Sequence, residues 1–283
     1  FADAVSVVTY EFENVPGPAA QHLAGKVPVR PGVRALEVSQ DRLFEKEFLK
    51  NSGVAIADFA EITSQADVET AIQDFGGLGV LKTRRFGYDG KGQTMIRSPE
   101  DIGGAFERIG NAPAVLEALI SFDCEVSVIV ARGLDGNSAS YDIARNHHEN
   151  HILKTSTVPA GVSKQTLTAA RQMAERIVSS LDYVGVMGVE MFLVRDGDAE
   201  QLLVNEIAPR VHNSGHWTIE GAVTSQFENH IRAIAGLPLG PTALVAPQVI
   251  MENLIGDDVL RWPALAAEPG AHLHLYGKGA PSP

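Results

Sequence analysis

The chain has 283 residues, 45% hydrophobic and 20% charged, with a net charge of −12 from 35 acidic and 23 basic residues. Its length allows a large core and one to three domains, and its acidity argues against nucleic acid or an anionic membrane as partner. The single Cys124 excludes an internal disulfide and a cysteine metal cluster, no apolar run nears the ~20 residues of a membrane helix, and no signal peptide is evident, so a reducing cytoplasm is the expected setting.

In chain order, Val5 to Tyr10 is β-branched and aromatic and is expected to be the last strand of an otherwise missing domain, ending in Glu11-Phe12-Glu13-Asn14. The start at Phe1 and the end at Gly277-Lys278-Gly279-Ala280-Pro281 both read as interruptions of a longer protein. Gln40 to Asn51 is an amphipathic helix with Leu43, Phe44, Phe48 and Leu49 on one side. Arg42 in its first turn opposes the helix dipole, a mild misfit that hints at a ligand, although an ordinary surface arginine is the commoner reading. A strand from Val54 to Ala60 and a helix from about Gln65 to Phe75, capped by Ser64, follow.

Leu78 to Thr83 reads as a buried strand with Lys82 near its end, running into the glycine-rich segment Arg84-Arg85-Phe86-Gly87-Tyr88-Asp89-Gly90-Lys91-Gly92-Gln93. Glycines allow close backbone approach, so this hairpin with Lys82, Arg84, Arg85 and Lys91 suits a polyphosphate, although the Gly-Lys-Ser/Thr ending of a Walker loop is absent. Ser98-Pro99-Glu100-Asp101 opens another helix. Ala114 to Ile120 is a strand leading into a linker whose free backbone groups suit a flat base. Cys124 to Arg132 alternates as a strand, with Val126, Val128 and Val130 on one face, and turns at Asp135-Gly136-Asn137 into a partner, Ser138 to Ala144. The polar string Asn146 to His151 reads as a loop and not a metal site.

Thr166 to Leu181 is a helix with the stripe Leu167, Ala170, Ala174, Ile177, Val178, Leu181. Two apolar strands follow, joined at Arg195-Asp196-Gly197-Asp198. Glu190 lies in the first and Glu206 near the end of the second, just before Arg210, His212, Asn213, Ser214 and His216. Carboxylates among apolar neighbours are costly unless they serve a ligand, and an antiparallel pairing brings both to one cation, which suggests a Mg²⁺ and phosphate centre. Thr218 to Ala235 reads as a helix over that site. After the linker Gly236 to Pro241, Val249 to Leu254 and His272 to Tyr276 are expected to form a small β appendage.

In this order, Lys82, the glycine-rich hairpin, the Glu117 linker, Glu125 and the carboxylate pair resemble an ATP-grasp ligase. Within that superfamily, Thr9 to Val15, Gly87 to Gln93 and Ala208 to His216 are similar to the strings of the N5-carboxyaminoimidazole ribonucleotide synthetase family, the phosphoribosylaminoimidazole carboxylase ATPase subunit. The resemblance implies an α/β (α+β) ATP-grasp fold. Residues 1–38 would be the remnant of a Rossmann-like pre-ATP-grasp domain, 39–236 the ATP-grasp domain with a lid at about 54–118, and 237–283 a C-terminal β domain.

It also implies that ATP phosphorylates bicarbonate and that the carboxyphosphate, or its CO₂, is captured by the amine of aminoimidazole ribonucleotide in purine biosynthesis. Arg42, Lys82, Gly87, Gly90, Gly92, Gln93, Glu117, Ala118, Leu119, Ile120, Glu125, His148, Asn205 and Glu206 would serve ATP, and Glu190 with Glu206 would hold Mg²⁺. Arg210, His212 and Asn213 would hold bicarbonate, with His212 either base or donor. Glu11, Tyr88, Asp89, Lys91 and Lys278 would face the imidazole ribonucleotide, with Tyr88 also beside the chemistry. The family is dimeric, so a homodimer is implied. The missing amino-terminal domain and the lack of a basic segment after Lys278 lead us to expect MgATP binding with poor turnover. Two rivals remain at this stage: another carboxylate-activating ATP-grasp enzyme, such as a formate-dependent glycinamide ribonucleotide transformylase or a biotin carboxylase, and a nucleotide-binding module without chemistry.

Overall fold

Residues 1–87, 92–197 and 199–277 are described by the computed structural model of the chain. Its elements run α1 (Gly17–Ala24), α2 (Val33–Ser39), α3 (Arg42–Asn51), β1 (Phe59–Ile62), α4 (Gln65–Asp74), β2 (Gly79–Thr83), β3 (Gln93–Ile96), α5 (Pro99–Ile102), α6 (Ala105–Arg108), β4 (Ala114–Ala118) and β5 (Cys124–Arg132). They continue through β6 (Ser138–Ser140), β7 (Ala144–Glu149), β8 (Ile152–Val158), α7 (Lys164–Ser180), β9 (Gly185–Asp196), β10 (Ala199–Ala208), α8 (Thr218–Gly221), α9 (Gln226–Ala235), β11 (Val249–Glu252) and α10 (Trp262–Ala266). None of the described helices is long and apolar enough to cross a membrane.

The strands form a four-stranded sheet, β1-β4-β2-β3, and a seven-stranded sheet, β10-β9-β5-β7-β8-β11 with β6 on β5. Alternation decides what each sheet buries. In the small sheet Leu81, Ile62, Leu116 and Ile96 turn to one side and pack on Val68, Ile72 and Phe106. The opposite side carries Lys82 and Glu117, which pair across β2 and β4 with Val115 and Val80. In the large sheet Val126, Val128, Val130, Val189 and Met191 pack on Ala170, Ala174, Ile177 and Val178 of α7. Glu125, Ser127 and Glu190 therefore lie on the other face, and the charged faces of both sheets border one cleft.

The strong local signals hold: α4 is capped by Ser64, α7 by Ser163, and Ser98 with Asp101 closes a capping box. Several expectations fail for want of a partner. Val5 to Tyr10 is no strand; Val8 makes a single parallel bridge to Val29. The strand expected at 54–60 splits, because this segment crosses between sheets: the Ala55 carbonyl accepts from Val204 N–H (2.8 Å), and β1 begins only at Phe59. Ser138 to Ala144 breaks after β6 and resumes as β7, so Asn146 to Glu149 is strand and not loop, held between β5 and β8. The helix expected over 218–235 is two, because the backbone at Val223 and Gly221 pairs with Ala243 and Val245, and Ser225 caps a fresh start. β11 joins the large sheet beside β8, whereas His272 to Tyr276 forms no strand.

Candidate functional site

The cleft between the sheets has a volume of about 1250 Å³. Its large-sheet wall is organised by the β9–β10 hairpin. The register pairs Glu206 directly with Glu190, with a bulge between Val204 and Glu206. Directly opposed residues of an antiparallel pair point to the same face, so two carboxylates stand side by side. Arg42 reaches Glu206 at 3.3 Å, and His212 Nε2 lies 3.0 Å from Glu190 Oε1. The Glu206 carboxyl is only partly exposed in the cleft; loss of hydration works to raise its pKa, but Arg42 and Lys82 outweigh this and hold it low.

The small-sheet wall is held by an ion cluster. Glu117 is 3% exposed and receives Lys46 at 3.0 Å and Lys82 at 3.1 Å. Burial works to raise its pKa, yet the two lysines bring it down to about 2. Burial pulls Lys82 below the usual lysine range.

Helix α3 ties the two walls together. Arg42, Glu45 and Lys46 have the i, i+3, i+4 spacing of one helix face. Lys46 also donates to the Asn205 carbonyl (2.8 Å), and Glu45 accepts from Ile207 N–H (2.7 Å), so both grip the bulged end of β10. The Glu45 carboxyl is pushed up to about 7 by burial and by the charge of Glu206. Glu45 and Lys46 were missed in the sequence; their spacing from Arg42 was the available signal.

Other expected residues fall as follows. His148 is hydrogen-bonded to Glu125 at the cleft; burial lowers its pKa, but the hydrogen bond and charge of Glu125 leave it raised. Leu119, Ile120, Gln93, Gly87 and Asn213 line the cleft. The linker's amides are partly committed, since Ala118 N–H donates to Asp58 and Leu119 N–H to Leu78. Gly92 has φ +69°, and a Cβ there would lie 2.6 Å from Thr83 Oγ1, so this hairpin position requires glycine. Arg84 is committed to Asp41, with Nη2 to Oδ2 at 2.9 Å, and to Glu61 at 2.8 Å, and so is bound in structural pairs. Arg210 pairs with Glu13, Nη2 to Oε1 at 3.1 Å. Glu11 is exposed and lies outside the cleft lining, whereas Glu13, two residues on and not singled out in the sequence, reaches it. Tyr88, Asp89, Gly90, Lys91 and Lys278 lie outside the described residues.

Two buried acceptors in the cleft, Asn205 Oδ1 and Glu117 Oε1, have no hydrogen-bond partner among the described residues. Such atoms are costly unless a ligand's donor satisfies them. Among the described residues no group of three or more His, Cys, Asp or Glu is placed to hold a metal. Paired carboxylates fit Mg²⁺, which takes one or two of them and completes its shell with phosphate and water.

Three family models match the chain: the ATP-grasp domain over residues 47–227, the ribonucleotide synthetase preATP-grasp domain over 1–40, and the phosphoribosylaminoimidazole carboxylase C-terminal domain over 249–283. An N5-carboxyaminoimidazole ribonucleotide synthase from Brucella melitensis is 52% identical over 279 residues, covering 98% of this chain and 76% of that protein. The crystal structure of N5-carboxyaminoimidazole ribonucleotide synthetase from Thermus thermophilus superposes with a TM-score of 0.91 at 45% identity, over 99% of this chain and 75% of that one. The Aspergillus clavatus synthase, crystallised with ADP and 5-aminoimidazole ribonucleotide, superposes with a TM-score of 0.91 at 32% identity, over 100% of this chain and 75% of that one.

Proposed function

The chain belongs to the N5-carboxyaminoimidazole ribonucleotide synthase family of ATP-grasp ligases, and from that premise we propose how its residues divide the work. It catalyses the ATP-dependent carboxylation of 5-aminoimidazole ribonucleotide in purine biosynthesis. In our reading, bicarbonate is the carbon source. A bicarbonate oxygen attacks the γ-phosphorus, ADP leaves, and carboxyphosphate forms; the substrate's amine then attacks the carboxyl carbon, phosphate leaves, and the nitrogen loses a proton.

The adenosine of ATP lies along Glu117 to Ile120, with Glu125 and His148 at the ribose and Arg42, Lys82 and the 87–93 hairpin at the phosphates. Glu190 and Glu206 hold Mg²⁺, which when bound neutralises phosphate oxygens and draws charge off the transferring group. The direct Glu190–Glu206 register carries this reading. The orphaned oxygen of Asn205, beside Glu206, supports a ligand there.

Arg210, a planar guanidinium, suits planar bicarbonate, and exchanging its Glu13 contact for substrate frees it to bind. Asn213 adds a neutral donor at the same end. Between two walls that narrow the access of water, the labile acyl phosphate is captured before hydrolysis. Tyr88, Asp89, Lys91 and Lys278 remain our choice for the ribonucleotide, while at the amino-terminal string the geometry favours Glu13 over Glu11. By likeness to the family we place the enzyme in the cytoplasm as a homodimer.

The test is incorporation of labelled bicarbonate into the ribonucleotide, trapped at alkaline pH where the N-carboxy group persists, measured with ADP release. We expect both to require aminoimidazole ribonucleotide and Mg²⁺ and to proceed in equal amounts. ADP release without label incorporation, or activity with formate in place of bicarbonate, would defeat the reading.

A further inference from the structure

On the side away from the cleft, His212 is enclosed. Its backbone N–H donates to Gln226 Oε1 at 3.0 Å, and its carbonyl accepts from Gln226 Nε2 at 2.7 Å. Gln226 is fully buried. The imidazole lies against Gly188, where a Cβ would stand 2.7 Å from His212 Cγ, so a side chain there would displace the ring. At Nδ1 two donors converge, Ser214 N–H at 3.3 Å and Ser214 Oγ at 2.8 Å. Ser214 Oγ in turn lies 2.7 Å from Ser127 Oγ, and both serines are buried.

A backbone N–H can only donate, so Nδ1 accepts and carries no proton. The ring proton is therefore on Nε2, 3.0 Å from Glu190 Oε1. The hydroxyl directions follow: Ser214 donates to Nδ1, and Ser127 donates to Ser214.

We propose that Ser127, Ser214 and Gln226 are positioning residues that hold His212 with Nδ1 as an acceptor toward Ser214 and Nε2–H as a donor beside Glu190, so that His212 serves the carboxylation as a hydrogen-bond donor and not as its general base. This rests on the reading of the Arg210–Asn213 end as the bicarbonate pocket. A general base must aim a lone pair at the proton it takes. The lone pair of His212 is aimed into the protein, at Ser214, and the atom nearest the cleft carboxylates bears hydrogen. A fixed donor is what an anionic oxygen of bicarbonate or carboxyphosphate requires, and a donor held in place needs no reorganisation when charge develops. The proton lost by the amine then goes to another acceptor, the departing phosphate being the nearest in the scheme above.

The tautomer is read directly on the nucleotide-free chain by long-range ¹H–¹⁵N correlation, with His212→Gln to assign the signals. We expect an unprotonated Nδ1 and a protonated Nε2 at neutral pH, and a mixture of tautomers in Ser214→Ala. In turnover, His212→Gln places an amide donor near the Nε2 position and should keep about tenfold more kcat than His212→Ala. Ser214→Ala should lower kcat by about tenfold and leave KM for ATP within about twofold, and Ser127→Ala should act in the same direction but less. Circular dichroism of each variant separates these effects from misfolding. A protonated Nδ1 in the wild-type chain, equal loss in His212→Gln and His212→Ala, or wild-type kcat in Ser214→Ala would overturn the proposal. If the wild-type chain fixes no bicarbonate, the proposed function fails instead, and the tautomer still decides the positioning of His212.

Discussion

The two sheets present the same cross-section to the cleft, one apolar face under helices and one charged face inward, but they treat their charges in opposite ways. The small sheet's acid is neutralised: Glu117 sits between Lys82 of the same sheet and Lys46 of α3, and among the described residues only one of its oxygens lacks a partner. The large sheet leaves like charges side by side, Glu190 against Glu206, moderated from outside by His212, Arg42 and the charge of Lys82. Charge in the small sheet is thus paired within the fold before any ligand arrives, and like charge in the large sheet is left for a ligand to neutralise.

If that contrast is right, the largest effect on folding comes from the small sheet. Glu117→Ala takes the counter-charge from buried Lys46 and partly buried Lys82, and breaking a buried pair costs about 3–5 kcal/mol. Denaturant unfolding should show that loss, with Lys46→Met in the same background recovering part of it. Near-wild-type stability in Glu117→Ala would erase the distinction.

The large sheet should show the reverse. Glu190→Gln removes a repulsive partner, so we expect an unchanged or slightly higher Tm together with a fall in kcat on the order of 10²–10³. A lowered Tm would mean that the carboxylate pair is structural after all.

The smallest effect sharpens the comparison through pH. His230, behind the large sheet, is 6% exposed, hydrogen-bonds Thr9 at 2.7 Å and accepts from Val186 N–H at 3.2 Å. Burial lowers its pKa from 6.5 to about 4. The unfolded chain then binds the extra proton first, so this contribution is complete above about pH 6.5 and is lost as pH falls toward 4, at most roughly 3 kcal/mol. Glu117, depressed to about 2, loses its share in a lower window, as pH falls from about 4.5 toward 2. Glu45, raised to about 7, acts with the opposite sign: its proton binds more tightly in the folded chain, so its contribution is full below about pH 4.5 and fades as pH rises to 7. Stability against pH for wild type and His230→Gln, taken as a difference, isolates the upper window; identical curves would remove His230 from the account.

What the sequence made legible was whatever depends on near neighbours. Ser64 and Ser98 announced their helices, and the tight turn at residues 195–197 set a short hairpin, whose register brings the glutamates together. Long-range partners were not legible. Val5 to Tyr10 and His272 to Tyr276 have strand composition, but a strand is made by its neighbour, and neither finds a ladder. Asn146 to Glu149 looked like a loop because it is polar, yet one strand face can be polar where it borders a polar cleft. Glu45 and Lys46 resembled the wet side of an amphipathic helix. Their burial depends on Glu117 and on the end of β10, which are remote in the chain. The same distance hid Ser127 behind His212: the strand was plain from alternation, but the serine gains meaning only when Ser214 folds against it.

Helix α3 gives the cleft a mechanical property. One ten-residue rod supplies Arg42 and Glu45 to the large wall, and Lys46 to both walls at once. The lobes cannot be separable foldons in the way their two hydrophobic cores imply. Parting them would strand buried charges on each side, so the molecule should unfold across its cleft in a single cooperative step.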